Sequence, residues 1–207
     1  MTYKVGTHYH TVKVEKNAVP VLAALQQQHP QQVLVLEFFS YGCGGCFHFE
    51  SALNAWRNTL PPLVAFKQIP VNFHEDWQPY GRAFYTLEAL KAPPELHLAI
   101  FKSIHEQRKL LSNDKDMMHF LKEQPGIDKN KLEALYPSFS IDKQRRTALD
   151  QAKAFGIAAI PQLIIVGPQE VIALANDLPG GVSEILAVAS SVLEEQLKKL
   201  PDTHLRP

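Results

Sequence analysis

The pattern of apolar and polar positions is strongest in the segment 33–56. The run Val33-Leu34-Val35-Leu36 is continuously aliphatic, as in a strand that is buried on both faces. A helical pattern follows it, and no proline interrupts this pattern before Pro61. The apolar side of the helix consists of Phe47, Phe49, Leu53 and Trp56. The sequence therefore predicts a central strand that leads directly into a helix.

Further strands are predicted before and after this unit. Alternation over residues 8–15 predicts a first strand at the edge of the sheet, and a short helix follows from Pro20 to about Leu25. Residues 63–73 have the pattern of the next strand. Strand, helix and strand then form a right-handed crossover unit.

The middle and C-terminal parts differ in character. From residue 77 to 155 the pattern is helical throughout, which predicts a helical subdomain inserted into the sheet domain. Strands are expected again at 163–166 and 171–174, joined as a hairpin. A long amphipathic helix after Gly180-Gly181 is expected to close over the sheet.

Composition places the chain among ordinary globular proteins. Its 207 residues are 45% hydrophobic, enough for one domain or for one domain with an insertion. The 21 basic and 21 acidic residues cancel, so the charge does not indicate nucleic acid or an anionic membrane as a partner. No apolar run approaches the roughly 18 residues of a transmembrane helix, and the first six residues lack the apolar core of a secretory signal.

The only two cysteines, Cys43 and Cys46, lie where the central strand ends and the helix begins. Unpaired amide hydrogens and the positive dipole at a helix N-terminus favour a thiolate over a thiol. In Cys-x-x-Cys motifs at such sites the pKa of the first thiol falls from about 8.5 into a range of about 3.5 to 7.5. Cys43 is therefore the predicted nucleophile, and Cys46 is the thiol that resolves a mixed disulfide from within.

Glu37 is the charged residue of the central strand. Its neighbours on both faces are apolar, so burial is expected to raise the pKa of this carboxyl. Two interpretations are open. The carboxyl is either a buried group that exchanges protons during the reaction, or a strand-end carboxylate that reaches solvent or pairs with a lysine such as Lys67.

Two segments resemble a known family. Residues 37–50, Glu-Phe-Phe-Ser-Tyr-Gly-Cys-Gly-Gly-Cys-Phe-His-Phe-Glu, resemble the active site of the DsbA-type periplasmic thiol:disulfide oxidoreductases, which belong to the thioredoxin-like superfamily. Residues 156–167 are similar to the loop of that family in which a cis-proline precedes a hydrophobic strand. The resemblance extends from about Tyr9 to about Leu197, with the elements in the same order.

The resemblance implies an α/β fold of the thioredoxin-like type, a central mixed sheet flanked by helices, with an inserted all-helical subdomain. Residues 1–75 and 156–207 would form the thioredoxin-like domain, and residues 76–155 the insertion. Cys43-Gly44-Gly45-Cys46 would be the redox-active motif and would act without a further cofactor. Glu37 would accept the proton of Cys46 during resolution.

The implied activity is the introduction of disulfides into exported proteins by dithiol–disulfide exchange. The partners would be unfolded or reduced substrate proteins and a membrane oxidase of the DsbB type. The protein would be a periplasmic monomer from which a signal peptide has been removed.

Ile160 and Pro161 would bind the substrate. The family packs a cis-proline against the disulfide, and a cis bond would turn the backbone of Ile160 outward beside Cys43, where an extended substrate pairs with it. Local sequence favours trans, since X-Pro bonds are cis in only about 5–6% of folded cases. The alternative is an ordinary proline that opens a strand.

The dipeptide Gly44-Gly45 departs from the family, whose best known oxidases have Pro-His between the cysteines. Neither glycine contributes a side chain, and each makes the first helical turn less rigid by roughly 0.5–1 kcal/mol relative to alanine. We therefore expect the pKa of Cys43 to lie above the family extreme of about 3.5. The redox potential should be less oxidising, though still above the roughly −270 mV of thioredoxin.

Two other functions are open. A disulfide isomerase or reductase would use the same chemistry, but periplasmic isomerases usually dimerise through an additional N-terminal domain, for which few residues precede the central strand. The second of these functions is that of a metal-binding or redox-sensor module. Zinc prefers four ligands, and the histidines show no tetrahedral spacing, so no metal site is expected. His8 and His10 share one face of the first strand, but two imidazoles make an incomplete site.

Overall fold

The computed structural model describes residues 3–14, 16 and 18–201. In this part of the chain the strands are β1 (Tyr9–Thr11), β2 (Val33–Phe39), β3 (Val64–Pro70), β4 (Gln162–Val166) and β5 (Val171–Leu174). They form one five-stranded sheet in the order β1-β5-β4-β2-β3. Antiparallel pairs join β1 to β5, β5 to β4 and β4 to β2. The first strand lies at an edge of the sheet, as predicted.

The strands β2 and β3 run parallel. The Val33 N–H donates to the Leu63 carbonyl at the start of this pair, and the Val71 N–H donates to the Phe39 carbonyl at its end. The sheet is therefore mixed, as predicted. Helix α2 (Gly44–Arg57) connects the two strands and completes the crossover unit.

The core of the sheet contains β2, and all seven of its residues are buried. A strand covered on both faces needs no polar alternation, which explains the continuous run of aliphatic residues. Glu37 is part of this strand and pairs in register with Leu163 on β4. The prediction of a central strand buried on both faces is confirmed.

The chain divides into two compact units, and the first contains most of the sheet. It comprises Met1–Phe38, Ser51–Ile69 and Lys153–Pro207. The helices α1 (Val19–Gln28) and α8 (Gly181–Lys198) belong to this unit, and α8 contacts β4 and β5. Near the end of α2, Trp56 donates a hydrogen bond from Nε1 to Ser190 Oγ on α8 at 2.9 Å. This bond ties the two helices together within the unit.

The second unit is mainly helical and comprises Phe39–Glu50 and Pro70–Ala152. Its further helices are α3 (Gln78–Leu90), α4 (Glu95–His105), α5 (Asp114–Lys122), α6 (Lys129–Leu135) and most of α7 (Phe139–Ala154). Asn113 caps α5 by accepting from the Asp116 N–H, and Asp128 caps α6 by accepting from the Lys131 N–H. The helical character predicted for 77–155 is confirmed, whereas the domain boundaries stay a prediction.

Two strands are shorter than predicted. The strand β1 ends at Thr11, and Glu15, the last residue of the predicted strand, lies outside the described residues. The strand β3 ends at Pro70, which has no N–H to offer to the ladder, and the chain then enters a 3₁₀ turn at Glu75–Trp77. Within the described ranges, no helix is both long and apolar enough to cross a membrane.

Candidate active site

The motif Cys43-Gly44-Gly45-Cys46 occupies the junction between β2 and the first turn of α2. The Cys43 N–H donates to the Ser40 carbonyl, and the Phe47 N–H donates to the Cys43 carbonyl, each at 3.1 Å. Cys43 therefore directly precedes the helix, and its carbonyl accepts one of the first helical hydrogen bonds. Cys43 is half-buried, whereas Cys46 is fully buried. This is the placement predicted for both cysteines.

Hydrogen bonds converge on the sulfur of Cys43. The Cys46 N–H donates to Cys43 Sγ at 3.1 Å. The pKa of Cys43 is lowered to about 7, chiefly by the hydrogen bond with the Cys46 side chain. Burial alone would raise this pKa, and the Cys46 and Gly45 amides lower it further. This value agrees with the expectation of a pKa above the family extreme. The thiolate therefore forms more readily at Cys43 than at an ordinary cysteine.

The glycines around the cysteines have opposite surroundings. Gly44 and Gly45 are exposed, and a Cβ added to Gly44 would meet no heavy atom within 4 Å beyond its local backbone. Gly42 is enclosed, because a Cβ there would lie 2.7 Å from Trp77 Cε2 and 2.8 Å from Tyr80 Cε2. A side chain therefore has room at Gly44, but not at Gly42.

Three hydrogen-bonded side chains flank the motif within the second unit. The Tyr41 hydroxyl lies 2.8 Å from His97 Nδ1, and His97 Nε2 lies 3.3 Å from Glu50 Oε2. A neutral His97 with its proton on Nε2 accepts from Tyr41 and donates to Glu50. Burial, and then the charge of Glu50, raises the pKa of Tyr41 well above its ordinary value. Tyr41 is thus a neutral hydroxyl that donates.

A second histidine of α4 contacts the same segment. His105 Nε2 lies 2.8 Å from the Tyr41 carbonyl oxygen, so this nitrogen bears the proton and donates. The imidazole also stacks on Phe47, with ring centroids 5.1 Å apart and an angle of 12° between the planes. Tyr41, Glu50 and both histidines are not among the residues predicted from the sequence. The eight-residue spacing of the histidines, which puts them on one helix face, is the signal that could have revealed them.

Glu37 is fully buried on β2. Gln68 on β3 donates a hydrogen bond from Nε2 to Glu37 Oε2 at 2.8 Å. The interpretation in which this carboxylate reaches solvent is therefore wrong. This donor is a neutral amide, and it belongs to the residue after Lys67.

The peptide bond between Ile160 and Pro161 is cis, as predicted. Both residues are half-buried and directly precede β4. Gln162 fixes the start of this strand, because its Nε2 donates to the carbonyls of Leu163 and Leu174. The segment that leads into β4 is therefore well anchored on its C-terminal side.

The histidines at the start of the chain make local contacts. His8 Nδ1 accepts from the Lys4 N–H at 3.1 Å, and His8 Nε2 lies 3.9 Å from Glu184 Oε1. His10 is exposed on β1. Over the described ranges, no group of three or more His, Cys, Asp or Glu side chains is arranged to hold a metal ion.

Comparison with known proteins places this site in context. No protein-family model matches the chain. The thiol:disulfide interchange protein DsbA of Azotobacter vinelandii is 33% identical over 187 residues, which cover 89% of this chain and 85% of that protein. Its counterpart from Pseudomonas aeruginosa is 31% identical over 181 residues, with coverages of 87% and 84%. The crystal structure of Pseudomonas aeruginosa DsbA matches with a TM-score of 0.81 at 28% identity, covering 95% of this chain and 96% of that one.

These similarities, the mixed sheet flanked by helices and the close cysteine pair define a thiol:disulfide oxidoreductase of the thioredoxin-like fold. The chain belongs to the DsbA family of thiol:disulfide interchange proteins. The family resemblance, the fold class and the enzyme class predicted from the sequence are confirmed.

Proposed function

We propose that this protein oxidises pairs of thiols in other proteins to disulfides, with Cys43 as the exchanging sulfur and Cys46 as the resolving one. The observation that supports this assignment is the contrast between the two thiols. Cys43 is half-buried and has a pKa lowered to about 7, whereas Cys46 is fully buried. An accessible sulfur of low pKa is both the target for an incoming thiolate and a good leaving group.

In the oxidising direction the reaction starts from a Cys43–Cys46 disulfide. A substrate thiolate attacks Cys43 Sγ, which forms a mixed disulfide and releases Cys46 as a thiolate that takes up a proton. A second thiolate of the substrate attacks the substrate sulfur of this mixed disulfide, and the Cys43 thiolate leaves. The substrate loses two electrons as its disulfide forms, and the protein gains them as a dithiol.

Re-oxidation requires Cys46 to become a nucleophile. The Cys43 thiolate attacks the disulfide of an oxidant, and Cys46 then attacks Cys43 Sγ and releases the second sulfur of the oxidant. A buried thiol must lose its proton for this step, and we assign Glu37 as the acceptor. Support comes from its complete burial and from its hydrogen bond with the neutral Gln68, since desolvation makes a carboxyl hold a proton more readily.

Substrate binding is assigned to Ile160 and Pro161. The segment is half-buried and leads into β4, and its sequence resembles the family loop. Backbone at the start of a strand is suited to pair with an extended polypeptide of any sequence. The exposed Gly44 and Gly45 place no side chain between the cysteines and such a substrate.

We further propose that the substrates are reduced or unfolded exported proteins and that a DsbB-like membrane oxidase restores the disulfide. The protein would act as a monomer in the periplasm. The names of the relatives support this assignment, because thiol:disulfide interchange needs both a thiol donor and an oxidant.

Refolding of a reduced, denatured disulfide-containing enzyme with glutathione disulfide as oxidant tests the proposal. Wild-type protein should accelerate the recovery of activity, and Cys43→Ser should abolish this acceleration. Cys46→Ser should instead accumulate a covalent mixed disulfide with the substrate, visible by mass spectrometry. Unchanged exchange in Cys43→Ser would refute the assignment, and rescue of a scrambled substrate without oxidant would favour an isomerase.

A further inference from the structure

His105 joins the two sides of the redox motif. Its Nε2–H donates to the carbonyl of Tyr41, two residues before Cys43. Its ring stacks on Phe47, the residue after Cys46. A single imidazole therefore fixes the chain immediately before and after the four-residue motif.

His97 also connects a residue before the motif with one after it, in this case through side chains alone. It accepts from the Tyr41 hydroxyl, and it faces the carboxylate of Glu50, which lies one turn of α2 beyond Cys46. Both histidines project from α4, about two turns apart. We call His97 and His105 the histidine clamp.

The side chains that the histidine clamp contacts are buried. Tyr41 is 1% exposed and Glu50 is 6% exposed, so water does not replace a lost partner. The rings of Phe39 and Phe101 pack edge-on against Tyr41, with centroids 5.4 Å and 5.0 Å away. Tyr41 therefore has one well-defined position as long as both histidines hold it.

We propose that the histidine clamp positions Cys43 so that the amides of Gly45 and Cys46 point at its sulfur, and that it thereby sets the redox potential of the couple. The glycines of the motif have no side chains to hold this turn, so the constraint has to come from other residues. Amide donors stabilise the thiolate of the dithiol form more than the neutral sulfur of a disulfide.

Loosening the clamp should therefore destabilise the reduced form and make the protein a weaker oxidant. His97 and His105 are positioning residues, because they act through Tyr41 and the start of α2. The inference rests on the role proposed above for Cys43.

His105→Asn and His105→Gln form a matched pair of tests. The amide nitrogen of Gln reaches the position of Nε2 and can donate to the Tyr41 carbonyl, whereas the Asn side chain is one bond too short. The Asn variant should shift the equilibrium with glutathione about fivefold to tenfold toward the disulfide form, the size expected for one lost hydrogen bond. It should also raise the pKa of Cys43, followed by thiolate absorbance, while the Gln variant should stay close to wild type.

His97→Phe should shift both readouts in the same direction as His105→Asn. His119→Asn on α5, where the side chain is 75% exposed, is the matched control and should change neither. A lower Tm with an unchanged equilibrium constant and an unchanged pKa of Cys43 would overturn the inference, as would equal shifts in the Asn and Gln variants. Failure of the wild-type protein to exchange with glutathione would instead refute the proposed function.

Discussion

Two buried carboxylates of this protein have partners of different chemistry. Glu37 on β2 is 0% exposed and accepts a hydrogen bond from Gln68, a neutral amide. Glu50 on α2 is 6% exposed and lies 3.3 Å from Nε2 of the His97 imidazole. One belongs to the unit that contains most of the sheet, and the other to the helical unit.

The difference in partner indicates a difference in role. An amide donates a hydrogen bond but takes up no proton, so it does not bind the charged form of Glu37 as strongly as a cation would. The imidazole of His97 instead connects Glu50 on α2 to α4. We propose that Glu37 takes up a proton during the reaction, whereas Glu50 holds the redox motif in place.

The largest expected effect is on resolution by Cys46. Glu37→Gln removes the proton acceptor proposed for the Cys46 thiol, so resolution of a Cys43–glutathione mixed disulfide should slow by about 10²-fold or more. Glu50→Gln should resolve close to the wild-type rate, because its amide oxygen still accepts from His97. Release of glutathione after rapid mixing measures both rates. Equal slowing in the two variants would remove the distinction between the carboxylates.

A second difference should appear in the stability of the reduced protein. Glu50→Ala leaves His97 without its acceptor in a buried site, and we expect a loss of about 1–3 kcal/mol in the free energy of unfolding. Urea denaturation under reducing conditions measures this loss. Glu50→Gln is the matched control and should lose less, and a loss as large as that of Glu50→Ala would contradict the role given to the hydrogen bond.

Gln68→Lys would replace an amide that donates to Glu37 by a cationic side chain. A nearby cation favours the carboxylate and weakens it as a proton acceptor, so the plateau rate of resolution should fall by about threefold to tenfold. The limb of the pH–rate profile that reports this carboxyl should move to lower pH. Gln68→Met has similar length without charge, and the same movement in that variant would exclude the electrostatic cause.

The smallest change is expected in the titration of Cys43, because the groups that lower its pKa are local. Alkylation rates should follow a pKa of about 7 in wild type, Glu37→Gln and Glu50→Gln alike. Cys46→Ala should raise this pKa, since the hydrogen bond with the Cys46 side chain is the largest contribution. An unchanged pKa in Cys46→Ala would contradict this assignment.

The lowered pKa of Cys43 also links stability to pH in the reduced protein. Because the thiolate is favoured in the folded state, its stabilising effect is complete above the ordinary thiol pKa of about 8.5 and is lost as the pH falls through about 7. Reduced wild type should therefore gain stability relative to Cys43→Ser between these values. A constant difference across that window, measured by urea denaturation, would contradict the linkage.

The chemistry of the motif could be predicted from the sequence because it depends on residues that are close along the chain. The aliphatic run of β2 and the helical spacing after Cys46 show where strand and helix lie, and this fixes both thiols at the helix N-terminus. The hairpin of β4 and β5 also follows from local pattern. The cis bond before Pro161 came only from the family resemblance, since local statistics favour trans.

Partners from distant segments could not be predicted. The hydrogen bond from Gln68 to Glu37 depends on the register between β2 and β3, and neither strand alone reveals this register. His97 and His105 lie 56 and 64 residues after Tyr41, on a helix whose contacts with that residue depend on tertiary packing.

The enclosure of Gly42 gives the protein an intrinsic optical probe. The indole of Trp77 occupies the space that a side chain at Gly42 would need, one residue away from Cys43. Its emission should therefore respond when the neighbouring sulfur passes between thiolate and disulfide. The other tryptophan, Trp56, lies near the end of α2 and is hydrogen-bonded to Ser190 on α8. We therefore expect that electron transfer to this protein can be followed in real time by the fluorescence of Trp77, without an attached dye.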